Sequence, residues 1–71
     1  MKKTIGIWIG VNKNGYISMH LEMPIRNVEN GKWVSNKPYI NSKLYDIYDS
    51  LLKKANITWE HEAEFFEIFI N

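Results

Sequence analysis

Two alternating rows open the chain. Ile5, Ile7, Ile9 and Val11 interleave with Thr4, Gly6, Trp8 and Gly10, and Ile17, Met19, Leu21 and Met23 interleave with Tyr16, Ser18, His20 and Glu22. Period two on both sides of Asn14-Gly15 predicts a β-hairpin. Its register follows from the two rows. A two-residue turn would set Val11 opposite Ser18 and put the apolar rows on opposite faces. A three-residue loop, Lys13-Asn14-Gly15 with Gly15 left-handed, sets Val11 opposite Ile17, Ile9 opposite Met19 and Ile7 opposite Leu21, so both rows are buried together. The three-residue loop is therefore expected.

Pro24 lacks the N–H that a ladder needs and should end or bend the second strand. The stretch after it, Arg26 to Ser35, reads as a second hairpin turning at Asn30-Gly31, with Glu29 opposite Lys32 and Val28 opposite Trp33. Residues 36–41 form a connector around Pro38, which disfavours helix just before it. Next, Leu44, Ile47, Tyr48, Leu51, Leu52 and Ala55 recur at helical spacing. Asn41 or Ser42 can cap that helix, Asp46 is placed towards its positive end and Lys53 and Lys54 at its negative end, with Asp49–Lys53 an i,i+4 pair and Asn56 closing it.

The ending, Trp59-Glu60-His61-Glu62-Ala63-Glu64-Phe65-Phe66-Glu67-Ile68-Phe69-Ile70-Asn71, admits two readings. A helix would put Trp59, Ala63, Phe66 and Ile70 on one stripe. A strand would turn Phe66, Ile68 and Ile70 one way and Phe65, Glu67 and Phe69 the other. The Phe- and Ile-rich run without capping residues favours the strand. The expected fold class is α+β: a small antiparallel β-meander with one packing helix and a C-terminal strand, β-β-β-α-β with an extra hairpin arm, over residues 1–71 as a single domain. A right-handed crossover through the helix would then bring the last strand parallel to the first.

Composition narrows the picture. A chain of 71 residues buries only about 60% of the surface its unfolded form exposes. With no cysteine it has neither disulfides nor thiol chemistry to reinforce it. Three Trp, four Tyr and three Phe point instead to a dense aromatic core or to self-association. The net charge is +1, but residues 1–43 carry seven basic groups against two acids, and residues 44–71 carry two against six. That split is read as two complementary poles of one small fold. The Lys2-Lys3 start lacks the apolar core of a signal sequence, and the apolar runs are too short to cross a membrane, so a cytoplasmic protein is expected. Usage rich in Ile, Asn and Lys, as in AT-rich genomes, points to a small bacterial or phage accessory protein.

Candidate chemistry is thin. Glu60, His61, Glu62 and Glu64 are ordinary metal-ligand types. On a strand, however, His61 faces away from the carboxylates, and a solvated lead-in that protects an edge explains them better, so no metal or cofactor is expected. Ser18, Ser35, Ser42 and Ser50 are the nucleophile candidates, with His20 and His61 as the imidazole bases. Ser18 and His20 share a face, but at i and i+2 their side chains stand about 7 Å apart and no carboxylate orients the imidazole. An enzyme is not expected.

The face that the helix leaves uncovered is more informative. Trp8 falls opposite His20, Gly6 and Gly10 leave room above the sheet, Tyr16 is nearby, and Phe65 and Phe69 project to the same side if the last strand pairs with the first. Such an apolar face marks a partner surface unless the connector or the Trp33 arm folds over it. The expected function is protein binding, inhibitor- or adaptor-like, through this face or by strand addition at an exposed edge, with another protein or a second copy as partner. Trp8, Tyr16, His20, Trp33 and Phe69 are the candidate contacts. The alternative is single-stranded nucleic-acid binding by the same face with Arg26 and Lys32, against which stands the near-neutral charge balance.

Overall fold

The computed structural model describes residues 3–70, the side chain of Ile70 excepted, so its expected inward placement is not among the described groups. The element order is β1 (Lys3–Val11), β2 (Ile17–His20), β3 (Ile25–Asn27), β4 (Lys32–Val34), α1 (Ser42–Lys54) and β5 (Glu64–Ile70). The α+β class holds, as one three-stranded antiparallel sheet of order β2-β1-β5, one two-stranded arm of β3 and β4, and one helix.

The first hairpin has the register that row burial demands. Val11 pairs with Ile17, Ile9 with Met19 and Trp8 with His20. Gly15 sits at φ 93°, the left-handed position that favours glycine. The Asn12 N–H donates to the Tyr16 carbonyl at 2.8 Å, which fixes the parity of the ladder. Gly10–Ser18 and Trp8–His20 are then the hydrogen-bonded pairs, and Ile7, Ile9 and Val11 turn their backbone groups to the opposite side, towards β5.

Three expectations fail, each for a local reason. First, β2 stops at His20 instead of running to Met23. The Leu21 N–H turns to the Lys37 carbonyl (2.8 Å), and Leu21 and Met23 stay exposed while Pro24 is buried. Phe66 on β5, not Leu21, lies opposite Ile7. Second, the arm pairs Arg26 with Trp33 and Asn27 with Lys32 across a loop of residues 28–31, so Val28 lies in the loop and is exposed. Asn27 dictates this: its side chain accepts the Asn30 N–H (3.1 Å) and its carbonyl accepts the Gly31 N–H (2.9 Å). Third, β5 runs antiparallel to β1, pairing Ile9 with Glu64, Ile7 with Phe66 and Ile5 with Ile68. The end of α1 lies beside the hairpin loop, where Lys53, Asn56 and Ile57 share a cleft with Lys13 and Gly15, so the chain enters β5 from that end and no crossover is needed.

The helix is as its sequence implies. Asn41 accepts the Leu44 N–H at 3.1 Å as N-cap. At the other end Asn56 is left-handed (φ 58°), with Asn56 N–H on the Lys53 carbonyl and Ile57 N–H on the Leu52 carbonyl, the paired bonds of a Schellman close. The core lies between α1 and the sheet: Ile7, Ile9, Val11, Ile17, Met19 and Leu52, edged by Ile5, Tyr48, Phe66 and Ile68. Tyr48 meets Phe66 with ring centroids 4.9 Å apart.

Candidate functional site

The outer face of the sheet, away from α1, is divided in two. Its hairpin half is closed by the arm. Trp33 lies flat over Gly10, so near that a Cβ there would stand 2.5 Å from the indole. Because β5 begins opposite Ile9, the Val11 carbonyl has no strand to meet, and the Trp33 indole N–H donates to it at 3.1 Å. The Trp33 backbone N–H donates to Asn12 Oδ1 at 2.9 Å. Arg26, opposite Trp33 on β3, stacks its guanidinium 4.8 Å from the Trp33 ring and 5.1 Å from the Trp59 ring. The same guanidinium donates to the carbonyls of Trp59 and His61, both at 2.9 Å. The arm is thereby tied to the loop that leads into β5, 33 and 35 residues further along the chain.

Beneath the arm runs a polar relay. Ser18 Oγ lies 3.0 Å from His20 Nε2 and Ser35 Oγ 2.7 Å from Nδ1, much closer than strand spacing alone implies for Ser18. The direction of the relay follows from its end, Asn12 Oδ1, which only accepts. Ser18 donates to it (3.5 Å), the His20 Nε2–H donates to Ser18, Ser35 donates to Nδ1, and the Lys37 N–H donates to Ser35 (3.3 Å). In its neutral form His20 is thus the Nε2–H tautomer. Burial holds its pKa below the usual 6.5, outweighing the opposite pull of Glu22. Both ring nitrogens are occupied, and the Glu22 carboxylate is turned to the Asn36 N–H at 3.1 Å. The arrangement fastens the arm to β2.

The other half of the outer face is open. Trp8 and Phe65 pack with centroids 5.2 Å apart, and Phe65 covers Gly6. Phe65 is 52% and Phe69 72% exposed. This aromatic shelf borders β5, the edge strand of the sheet.

The expected contact residues therefore separate. Trp8 and Phe69 lie on the open shelf. His20, 3% exposed, and Trp33, 5% exposed, are interior and cannot touch a partner without opening the arm. Tyr16 is exposed but lies at the hairpin end, beyond the Trp33 indole. Of the nucleic-acid pair, Lys32 is exposed and Arg26 is engaged between two indoles. Phe65, expected on this face with Phe69 from the period of the last strand, lies opposite Trp8 on the shelf. Asn12, the buried hub, gave no signal beyond its place beside the turn. In the acidic lead-in, His61 Nδ1 accepts the Thr58 N–H at 3.0 Å, a local turn. Among the described residues no three His, Asp or Glu side chains converge as a metal site would require, and no helix is long and apolar enough to cross a membrane.

On the β2 side, a cleft of about 520 Å³ opens between the strand edge, the Pro38–Ile40 connector and the start of α1, with Tyr39 and Tyr45 in its wall. No protein-family model matches the chain, and no curated protein or solved structure matches it.

Proposed function

We propose that this chain is a small protein-binding module that docks through the aromatic shelf of Trp8, Phe65 and Phe69 and the adjoining edge of β5, with no chemistry of its own. The observation that carries the reading is the division of the outer face. The sequence supplies Trp33 and Arg26 to close one half, yet leaves two phenylalanines exposed on the other, next to an edge strand of seven residues. Exposed aromatics beside an open edge are the elements of strand addition: the main chain supplies affinity and the alternate side chains supply selectivity. An inhibitor- or adaptor-type role in the cytoplasm, of the kind phages and mobile elements carry, fits the small size and the residue usage.

The nucleic-acid alternative loses its main support, because Arg26 is held by two rings and two carbonyls and does not reach out to a phosphate. Photo-crosslinking tests the proposal. A benzophenone side chain replacing Phe69 should give discrete protein adducts in the native host, and the same group at Lys43, on the exposed side of α1, should not. Adducts from position 43 alone would place the contact elsewhere and overturn the reading.

A further inference from the structure

We infer that the cleft on the β2 side is a binding site for a small amphipathic cation, an alkyl- or arylalkylammonium whose carbon body lies along the apolar walls and whose charge is met by Asp46. The site is separate from the aromatic shelf, so neither reading depends on the other.

The cleft exists because the connector leaves the sheet early. Around the His20–Pro38 bridge, the Leu21 N–H donates to the Lys37 carbonyl at 2.8 Å and the Tyr39 N–H to the Met19 carbonyl at 2.9 Å. An antiparallel ladder would next join the Met19 N–H to the Tyr39 carbonyl, and that bond is not made. Asn41 is committed to the helix instead. Its side chain accepts the Leu44 N–H and its carbonyl accepts the Tyr45 N–H at 2.8 Å, so the chain swings away from β2 to enter α1. Ladder parity leaves the Met19 N–H and the Ile17 carbonyl directed to that side, polar anchors in an apolar gap.

The walls suit a carbon body. β2 contributes Ile17 and Met19, the connector Pro38, Tyr39 and Ile40, and α1 Tyr45. Both tyrosines pack against the core, and the Tyr39 hydroxyl accepts the Asn41 Nδ2–H at 3.3 Å, so the walls are set before a ligand arrives. Ile40 is 92% exposed, apolar surface that an occupant would cover. The volume of about 520 Å³ is of small-molecule size.

Charge selects the head group. Among the described residues that line the cleft, Asp46 is the one ionised side chain at neutral pH, with no lysine or arginine beside it and His20 held neutral by burial. Among the described residues Asp46 also has no ion-pair partner, whereas Asp49 holds Lys53 at 3.1 Å. A tyrosine ring attracts positive charge to its face, and the carboxylate adds to that attraction. An anionic head would meet repulsion from the same carboxylate.

Amide chemical shifts of the isotope-labelled chain, titrated with three probes of like body, test the inference: phenylbutylamine, phenylbutanol and phenylpentanoate. The amine should bind about three- to fivefold more tightly than the alcohol, with the carboxylate weakest. The perturbed amides should cluster at residues 17–20 and 38–46. Asp46→Asn, at an exposed helix position, should bring the amine to the affinity of the alcohol and leave the alcohol unchanged. Absence of saturable shifts from all three probes at millimolar concentration, or shifts centred elsewhere, would overturn the site. Equal affinities in the wild type, a preference for the carboxylate, or an amine preference that survives Asp46→Asn would overturn the cation.

Discussion

Single residues decide how the outer face divides, and two glycines show it. Gly6 and Gly10 both lie beneath an aromatic ring, but the rings differ in freedom. A Cβ at Gly10 would stand 2.5 Å from Trp33, whose indole is buried and bonded to Val11. A Cβ at Gly6 would stand 2.5 Å from the tip of Phe65, which is half-exposed and can swing aside. Gly10→Ala should therefore cost about 1–3 kcal/mol by overpacking and shift tryptophan emission to the red, while Gly6→Ala should cost about 1 kcal/mol or less. Equal costs in chemical denaturation would show that the arm is as loosely seated as Phe65. His20 adds a pH dependence. Its folded pKa lies below the unfolded 6.5, so the unfolded chain binds more protons as the medium is acidified. The stabilisation from a neutral His20 is present above about pH 6.5 and is lost as pH falls through the folded value. The urea midpoint should decline on that side, and in His20→Gln this component of the decline should vanish.

At the scale of elements, one cation ties the arm to the loop before β5, beside the bonds that seat it on β1 and β2. Arg26 stacks on Trp33 and Trp59 and bonds two carbonyls of the loop before β5. Lysine keeps the charge but loses the planar stack and the fork, so Arg26→Lys should cost about 1.5–3 kcal/mol and expose both indoles to acrylamide quenching. An unchanged midpoint would mean that the arm is carried by the Trp33–Val11 and Ser35–His20 bonds alone.

The same elements show what could be read in advance. The register of β1 and β2 was legible because two apolar rows and one glycine leave a single arrangement that buries both. The helix and its caps were legible for the same kind of reason, local spacing. The direction of β5 was not, since it depends on where the end of α1 is delivered. The register of the arm was not legible either, because one side chain, Asn27, overrode the Asn30-Gly31 turn. The site was half legible. Period two put Trp8 and Phe69 on one face, but the burial of Trp33 needs Gly10 below it and a guanidinium from another strand beside it, a juxtaposition no spacing encodes.

For the whole molecule, the split between a basic first part and an acidic second part suggested poles that complement each other. Among the described residues, the ion pair within reach is Lys53–Asp49, inside one helix at 3.1 Å and with the lysine largely exposed. An exposed i,i+4 pair contributes at most about 0.5 kcal/mol, and charges further apart than a Debye length are screened. The fold thus rests on apolar burial, the Asn12–His20 relay and the Arg26 stack. Its unfolding midpoint should move by less than about 0.5 kcal/mol equivalent between low and high salt. Nucleic-acid binding would respond otherwise, because it weakens as salt competes for the phosphates. Oligonucleotide quenching of the tryptophan emission, run over a salt series, therefore tests that alternative by the direction of a slope. Quenching that is present at low salt and falls steeply as salt is added would restore the nucleic-acid reading, and its absence at low salt is the outcome expected for a chain whose Arg26 is held between two indoles.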